Sequence, residues 1–206
     1  MRIAAFLKQS LVDWEGKIAA VVFTKGCNLR CFYCHNPSLV LPELASDFPD
    51  LDTEEILRHL HSRKTFLDGV VITGGEATTQ KDLKEFLIQI KKIPLAVKLD
   101  TNGTNPALVQ ELIEKNLIDF IAMDIKNSFN ENAYKKISAN ISETMLENII
   151  KCADIIKNSR IPYQFRTTTV ASIHSAKVVE ELKKNFQPLS IQKERKIGKT
   201  LQDFIG

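Results

Sequence analysis

Three closely spaced cysteines, Cys27, Cys31 and Cys34, are the residues of this sequence whose type and spacing best suit chemistry. They form the pattern C-x3-C-x2-C directly after the apolar run 18–23. Three thiolates can bind three irons of a four-iron cluster, which leaves the fourth iron without a protein ligand. Such an iron can bind a small molecule and react with it, so the spacing predicts a catalytic iron–sulfur centre.

A zinc site is the main alternative for these cysteines. Structural zinc almost always has four protein ligands, and a fourth ligand is not evident here. His35 is adjacent to Cys34, and neighbouring residues rarely reach one ion together. Cys152 lies in an apolar helical pattern and is predicted as an ordinary buried thiol. A disulfide is disfavoured by the odd number of cysteines in the loop and by the reducing compartment predicted below.

The open iron predicts a particular cofactor. The methionine end of S-adenosylmethionine offers an amino group and a carboxylate, which together could chelate that iron. One electron passed from the cluster into the sulfonium would then split a carbon–sulfur bond and release a 5′-deoxyadenosyl radical. In such a reaction the protein supplies position, shielding and electrostatics.

The elements that must position this loop follow a strand–helix alternation. Five apolar or β-branched runs are predicted as strands, at residues 18–24, 69–73, 95–99, 119–125 and 162–170. The helices between them show start signals: Thr53 before two glutamates, Asn105 before Pro106, and Thr144 with Glu147 as a capping box. Residues 80–92 have apolar residues at helical spacing. The alternation predicts right-handed crossovers and a parallel sheet.

Polar residues follow four successive predicted strands. In folds with parallel strands, ligands bind at the carboxyl ends of the strands, which is where these residues would lie. They are Gly74, Gly75 and Glu76, then Asp100, Thr101 and Asn102, then Asp124 and Lys126, then Arg166. Glu76 could bind an ammonium group beside the two glycines, and the second group could bind a ribose. Asp124 and Lys126 could be a simple ion pair, and Arg166 could face solvent or clamp a carboxylate. Their shared frame predicts one pocket.

Composition sets the remaining limits. The 206 residues have a formal net charge of +3 and a charged fraction of 26%, which favours neither a nucleic acid nor a membrane as partner. No apolar run of transmembrane length and no signal peptide pattern occurs, so a cytoplasmic protein with reduced thiols is expected. Residues 36–52 are predicted as a long loop, and the basic stretch 193–199 as a solvated surface.

The sequence resembles the radical S-adenosylmethionine (SAM) superfamily over roughly residues 5–172, and most closely the activating enzymes of glycyl-radical enzymes. The motifs are the cysteine loop continued by His35, Asn36 and Pro37, then residues 74–76, 100–103 and 124–126. The resemblance implies that Tyr33 lies against adenine and that the Gly-Gly-Glu motif binds the methionine amino group. It also implies that Arg166 contacts the cofactor. In this sequence Ala77 follows Glu76, where many relatives have proline.

The fold that the resemblance implies is an α/β partial (β/α)6 barrel, with parallel strands and outer helices. A single domain is expected over residues 1–206, with its core at about 17–172 and a C-terminal segment at 173–206. The cofactors would be one 4Fe–4S cluster on three cysteines and SAM. The catalytic residues would be the three cysteines, and the cofactor-binding residues would be Tyr33, Asn36, Gly74, Gly75, Glu76, Asp100, Thr101, Asn102, Asp124, Lys126 and Arg166.

The expected function is activation of a glycyl-radical enzyme by hydrogen abstraction from a backbone glycine. Residues 10–17 resemble the start of the activating proteins of anaerobic ribonucleoside-triphosphate reductase, which makes that reductase the expected partner. Reduced flavodoxin or ferredoxin is the expected electron donor. A pyruvate formate-lyase-type activase, a radical SAM enzyme acting on a small molecule, and a zinc-binding module remain as alternatives.

Overall fold

The centre of the computed structural model, which describes residues 1–46, 48–194 and 198–205, is a seven-stranded sheet whose order follows the chain. The strands are β1 (Ile3–Ser10), β2 (Ala19–Thr24), β3 (Gly69–Gly74), β4 (Ala96–Thr101), β5 (Phe120–Asp124), β6 (Tyr163–Thr169) and β7 (Leu189–Lys193). β1 pairs antiparallel with β2, and β2 to β7 are all parallel. Six parallel strands in chain order confirm the predicted α/β fold of parallel strands with helices between them.

Besides the short 3₁₀-helix Ala77–Thr79, nine α-helices follow or separate these strands in the described residues. They are α1 (Pro37–Val40), α2 (Pro42–Ala45), α3 (Thr53–Ser62), α4 (Leu83–Ile90), α5 (Pro106–Glu114), α6 (Glu131–Lys135), α7 (Glu143–Lys157), α8 (Ala176–Asn185) and α9 (Gln202–Ile205). Right-handed crossovers between neighbouring parallel strands place the connecting helices on one face of the sheet. That outer face carries the main core, in which Val22, Ile72 and Leu99 are fully buried against residues of α3, α4 and α5.

On the opposite, inner face of the sheet, an aromatic plug centred on Trp14 fills the space at the amino ends of the strands, which we call the lower end. Trp14, from the turn between β1 and β2, packs there against Val21, Val71 and Phe120. A Cβ atom on Gly69 would lie 2.8 Å from the Trp14 ring, so the absence of a side chain at position 69 makes room for the plug. The amino ends of the strands are therefore filled, and only the carboxyl ends are available for a ligand.

Two predicted helix starts differ from the structure. The N-cap of α7 is Ser142, whose hydroxyl accepts a hydrogen bond from the backbone N–H of Met145, so the predicted capping box at Thr144 is wrong. Ser142 comes first in the chain and places Glu143 in the first turn, where a negative charge favours the helix dipole. The N-cap of α3 is Asp52, one residue before Thr53. The predicted start at Asn105 is confirmed, because its side chain accepts from the N–H of Leu108.

Three other segments were not predicted as they occur. Residues 36–52, predicted as a loop, contain the short helices α1 and α2, each of which begins with a proline at its first position. The strands β1 and β7 were not predicted. β1 is half-exposed and lacks a regular alternation, and β7 has no fully buried residue. Such edge strands carry a weak hydrophobic signal.

Some predictions reach residues outside the described part of the chain. Asp47 in the loop 36–52 and residues 195–197 of the basic stretch lie outside it. Lys193 and Lys199, which flank residues 195–197, are exposed. The assignment of the whole chain to one domain stays a prediction. No helix among the described residues has the length and apolar character needed to cross a bilayer.

Candidate active site

A cavity of about 150 Å³ lies at the carboxyl ends of the parallel strands and brings the predicted motifs together. Its lining consists of Cys27, Leu29, Cys31, Tyr33, Cys34, Val40, Thr73, Gly74, Gly75, Glu76, Asp100, Thr101, Asn102, Asp124, Lys126 and Arg166. Of the predicted catalytic and cofactor-binding residues, only Asn36 is absent from this lining. Asn36 is exposed and stands just before α1. Leu29, Val40 and Thr73 were not predicted.

A larger groove of about 630 Å³ lies on the outer surface between α5 and α7. It contains none of the cysteines and none of the polar residues at the strand ends. Because the chemistry-bearing side chains converge on the smaller cavity, that cavity is the candidate active site.

The Gly-Gly-Glu turn is built into the base of the cysteine loop. Gly74 has a φ angle of +120°, a conformation that favours glycine. A Cβ on Gly75 would lie 2.0 Å from the carbonyl oxygen of Gly26. The N–H of Glu76 donates to that same oxygen at 2.8 Å. Any side chain at position 75 would therefore force the two loops apart.

The carboxylate of Glu76 joins two strand ends and is almost fully buried. Its Oε1 accepts hydrogen bonds from the Thr78 N–H, the Thr78 hydroxyl and the Thr101 hydroxyl, and its Oε2 accepts from the N–H of Asn102 at 2.7 Å. Burial raises the pKa of Glu76, although these hydrogen bonds act in the opposite direction. Oε2 keeps the capacity to accept one further hydrogen bond from a ligand.

Four charged residues at the cavity form a continuous chain of ion pairs. Arg166 lies 2.9 Å from Asp100 Oδ2 through Nη1 and 2.9 Å from Asp124 Oδ1 through Nε. Lys126 Nζ lies 3.2 Å from Asp124 Oδ2. Asp124 and Lys126 therefore form the ion pair that was one of the two alternatives for them. Arg166 clamps carboxylates rather than facing solvent, and the carboxylates are those of Asp100 and Asp124 in its own chain.

The same pairs determine the charge states of the site. Burial alone would raise the pKa of Asp124, but Arg166 and Lys126 outweigh it and lower that pKa to about 2. Burial alone would lower the pKa of Lys126, but the carboxylate of Asp124 holds it well above its ordinary value. Arg166 behaves in the same way beside its two carboxylates. Asp124, Lys126 and Arg166 therefore remain charged at neutral pH.

Buried groups hold the backbone of Lys126 from both sides. The Lys126 N–H donates to the hydroxyl oxygen of Tyr134 at 3.2 Å. Its carbonyl lies 2.9 Å from Nε2 of His174. His174 Nδ1 accepts from the N–H of Val170 at 3.0 Å, so Nε2 carries the hydrogen and donates to Lys126. Neither Tyr134 nor His174 was predicted, because each follows a strand-end motif by eight residues and no sequence pattern marks its contact with Lys126.

The cysteine loop is held by a segment that follows β5, which sequence reasoning also missed. The N–H of Arg30 donates to the Ser138 hydroxyl at 2.7 Å and to Asn140 Oδ1 at 3.0 Å. Asn140 in turn donates to the carbonyl of Asn28 at 2.8 Å. The Asn28 side-chain oxygen accepts from Asn102 Nδ2 at 2.9 Å, which connects the cysteine loop to the turn after β4. The residues that hold the loop are more than a hundred positions away from it in sequence, and no local pattern marks them.

A segment near the C-terminal end of the chain covers the outer side of the same loop. The N–H of Leu201 donates to the carbonyl of Cys34 at 2.9 Å, and the N–H of Gln202 donates to the carbonyl of Phe32 at 3.0 Å. Leu201 is fully buried and packs with Val40 and Leu41, in contact with Cys27 and Cys34. The C-terminal segment is thus part of the site.

All four cysteines of the chain are free thiols. Burial, the dominant cause, raises the pKa of Cys27 to about 12 and also raises the pKa of Cys31. A metal would therefore have to displace protons from these thiols on binding. In the described residues, no three Cys, His, Asp or Glu side chains lie close enough together to share one metal ion. The predicted burial of Cys152 on α7 is confirmed.

Comparisons with known proteins agree with this arrangement. The model of the Radical SAM superfamily matches residues 21–184. A protein of Methanocaldococcus jannaschii assigned by name to the glycyl-radical enzyme activating enzymes is 34% identical over 185 residues, which cover 88% of this chain and 74% of that protein. The pyruvate formate-lyase-activating enzyme of Clostridium pasteurianum is 35% identical over 145 residues, which cover 66% of this chain and 57% of that enzyme.

The structural comparison extends the fold similarity. The structure of Streptococcus suis SuiB bound to S-adenosylmethionine superposes with a TM-score of 0.65 at 16% identity, covering 86% of this chain and 40% of SuiB. This chain therefore spans about half of the length of SuiB and of the C. pasteurianum enzyme. The superfamily match over most of the chain and the 34% identical relative decide the assignment. The chain belongs to the radical SAM superfamily and, within it, to the family of glycyl-radical enzyme activating enzymes.

Proposed function

We propose that this protein binds one 4Fe–4S cluster and SAM and activates anaerobic ribonucleoside-triphosphate reductase by forming a glycyl radical on it. Membership of the radical SAM superfamily implies both cofactors. The donor set supports the same cofactors, since three thiols line one side of a cavity whose other walls carry three carboxylates, a lysine and an arginine. Three thiolates for three irons do not need to converge on one ion, as a zinc site would require.

In this proposal Cys27, Cys31 and Cys34 hold the cluster as thiolates. When bound, the cluster would supply the electron for reductive cleavage of a carbon–sulfur bond of SAM, the chemistry that would remove a hydrogen atom from a glycine of the partner. Glu76 Oε2 accepts from the amino group of the methionine end. Lys126 and Arg166 present positive charge to its carboxylate.

The remaining lining residues shape the nucleoside part of the site. Tyr33 is almost fully buried and packs edge-to-face with Phe32, with ring centroids 5.3 Å apart, so its ring is fixed to receive the adenine. Asp100, Thr101 and Asn102 supply polar groups at the ribose. Asn36 keeps a role only at the rim, because it is exposed and outside the cavity.

The filled space at the lower end of the sheet's inner face is the observation that favours a protein substrate over a small molecule. Trp14, Val71 and Phe120 occupy that space. The remaining cavity of about 150 Å³ is smaller than the ~300 Å³ of the smallest usual ligand pockets. Cluster and SAM together would occupy all of this space and extend to its mouth, and the plug leaves no room for a second small molecule beneath them. A hydrogen donor must approach from the mouth, as a loop of a partner protein can.

The partner, the electron donor and the compartment belong to the same proposal. Residues 10–17 support the reductase as partner. The structure describes four free cysteines, of which three line the cavity. We propose reduced flavodoxin or ferredoxin as the source of the reducing electron, and the cytoplasm as the compartment.

The experiment is reconstitution of the protein under anoxic conditions with iron, sulfide, SAM and a reductant, in the presence of purified anaerobic ribonucleotide reductase. The expected result is 5′-deoxyadenosine together with a glycyl radical signal in electron paramagnetic resonance. The Cys31→Ala protein should give neither product. A parallel reaction contains pyruvate formate-lyase in place of the reductase. A radical on pyruvate formate-lyase and none on the reductase would contradict the reductase as partner. SAM cleavage without a radical on either protein would contradict the proposal that the substrate is a glycyl-radical enzyme.

A further inference from the structure

Lys98 is a buried lysine on the inner face of the sheet, below the cavity. Its side chain is only 8% exposed. In the strand register it stands between Val71 of β3 and Phe120 of β5, and both of these neighbours are apolar. Burying an ammonium group is costly unless it is paired, so a lysine at this position needs a specific partner.

Lys98 has one partner below it and one above it. Its Nζ donates to the backbone carbonyl of Asp13 at 2.5 Å, directly before the Trp14 plug. It also lies 3.4 Å from Asp100 Oδ1. That oxygen is buried and accepts no hydrogen bond from the described residues, so the Lys98 ammonium is the charge that faces it. Lys98 therefore connects the lower end of the barrel to the wall of the cavity.

The connection continues into the cavity through the second oxygen of Asp100. Asp100 Oδ2 lies 2.9 Å from Arg166 Nη1, and Arg166 also binds Asp124. Lys98 does not line the cavity itself. We propose that Lys98 is a positioning residue: it holds the Asp100 carboxylate in the orientation that places the Arg166 guanidinium for the carboxylate of SAM. This inference rests on the proposed function, because it takes SAM as the ligand.

A purely structural role predicts a different outcome from a positioning role. Removing one partner of a buried ion pair destabilises a protein strongly only when the other charge is left without a counter-charge. Asp100 keeps Arg166 as partner when Lys98 is changed, so no carboxylate is left without a counter-charge. A positioning role therefore predicts that SAM affinity falls in a variant that still folds and keeps the iron content of the wild type.

The test compares Lys98→Met with wild type as anoxic, cluster-loaded proteins, with SAM affinity measured by equilibrium dialysis. The expected loss is about tenfold, the size found for residues that orient direct ligands. Lys91→Met is the matched control, because Lys91 pairs with Asp119 at 2.9 Å and neither residue lines the cavity. Its affinity should stay within about twofold of the wild type.

A second measurement uses the cluster-free protein and the chain's single tryptophan. Loss of the Lys98 ammonium removes the donor to the Asp13 carbonyl, so acrylamide should quench Trp14 fluorescence more in Lys98→Met than in wild type. If Lys98→Met does not fold, Lys98→Gln decides, since it keeps an N–H donor, removes the charge and should show the same loss of affinity.

A folded Lys98 variant that binds SAM within about twofold of wild type would overturn the inference. Unchanged quenching of Trp14 fluorescence in Lys98→Met would contradict the inference that Lys98 holds the Trp14 plug. If the wild-type protein binds SAM without making a glycyl radical, the proposed substrate is wrong but the positioning role of Lys98 still stands. If the wild-type protein does not bind SAM, both the proposed function and the role of Lys98 are wrong.

Discussion

The Oε2 atom of Glu76 accepts a 2.7 Å hydrogen bond from the backbone N–H of Asn102, which ties the turn after β3 to the turn after β4. The same carboxylate binds both hydroxyls of Thr78 and Thr101. A single buried side chain thus fixes the spacing between two walls of the cavity. The sheet positions the turns approximately, and this carboxylate sets their separation.

Glu76→Gln should destabilise the cluster-free protein, because the amide presents N–H donors to groups that are themselves donors. A buried donor left without an acceptor costs about 1–3 kcal/mol, and this loss should appear in urea unfolding at neutral pH. Glu111→Gln is the control, since Glu111 is a surface residue paired with Lys84 and Lys115. Equal unfolding free energies for Glu76→Gln and wild type would contradict the structural role of Glu76.

Single replacements of Cys27, Cys31 or Cys34 by Ala should abolish cluster binding, because each thiolate would hold a different iron. The far-ultraviolet circular dichroism should remain that of the wild type. Cys152→Ala is the matched control: Cys152 is fully buried on α7, outside the cavity, and its loss should leave the iron content unchanged. Iron and sulfide analysis of anoxic protein measures the outcome. Wild-type iron in any loop variant would remove that cysteine from the ligand set.

Asp124→Asn should change the acid side of the stability profile. The Asp124 pKa is about 2 in the folded protein, against an ordinary value of 3.8. A lowered pKa stabilises the fold above pH 3.8, and that contribution is lost as pH falls from 3.8 towards 2. The stability difference between wild type and Asp124→Asn should therefore shrink across this interval in urea titrations. A difference that stays constant over the interval would show that Asp124 is not held ionised by its neighbours.

Tyr134→Phe should weaken the hold on Lys126 without changing any group that lines the cavity. It removes the oxygen that accepts from the Lys126 N–H. The unpaired N–H should lower the unfolding free energy by about 1–3 kcal/mol, and the KM for SAM should rise while kcat changes less. Phe129→Leu is a control in the same connection, because Phe129 packs on Tyr134 without bonding to Lys126. A KM equal to that of wild type would limit Tyr134 to packing.

Leu201→Ala should open the cysteine loop to solvent. Leu201 is fully buried against Val40 and Leu41, and its truncation leaves a space beside Cys34. In the cluster-free protein, alkylation of Cys34 should become faster, as measured by mass spectrometry of the peptides. Phe204→Ala serves as the control, since Phe204 follows in α9 and is 42% exposed. Equal alkylation rates in all three proteins would show that the segment does not shield the loop.

The sequence predicted the central features of the fold and of the cavity because these depend on local patterns. Continuous apolar runs such as 69–73 mark parallel strands covered on both faces, and polar groups directly after them, such as Glu76, must then meet at one edge. The superfamily and activase family, predicted from the cysteine loop and the strand-end motifs, are confirmed by the matches to known proteins.

What the sequence could not predict depends on tertiary contacts that no local pattern marks. Ser138, Tyr134, His174 and Leu201 lie in connections or near the C-terminal end, and their value to the site appears only when the chain has folded. Lys98 was missed because a lysine within an apolar strand has no local signature of its partner. The capping box at Thr144 failed for a simpler reason: Ser142, two residues earlier, offers the same cap.

The position of Leu201 also bears on the order of events during synthesis. Cys27, Cys31 and Cys34 leave the ribosome early, whereas Leu201, which covers them, is added among the last residues of this sequence. A nascent chain therefore exposes its three thiols until the covering segment has been synthesised. The loop becomes shielded only when Leu201 packs against Val40 and Leu41.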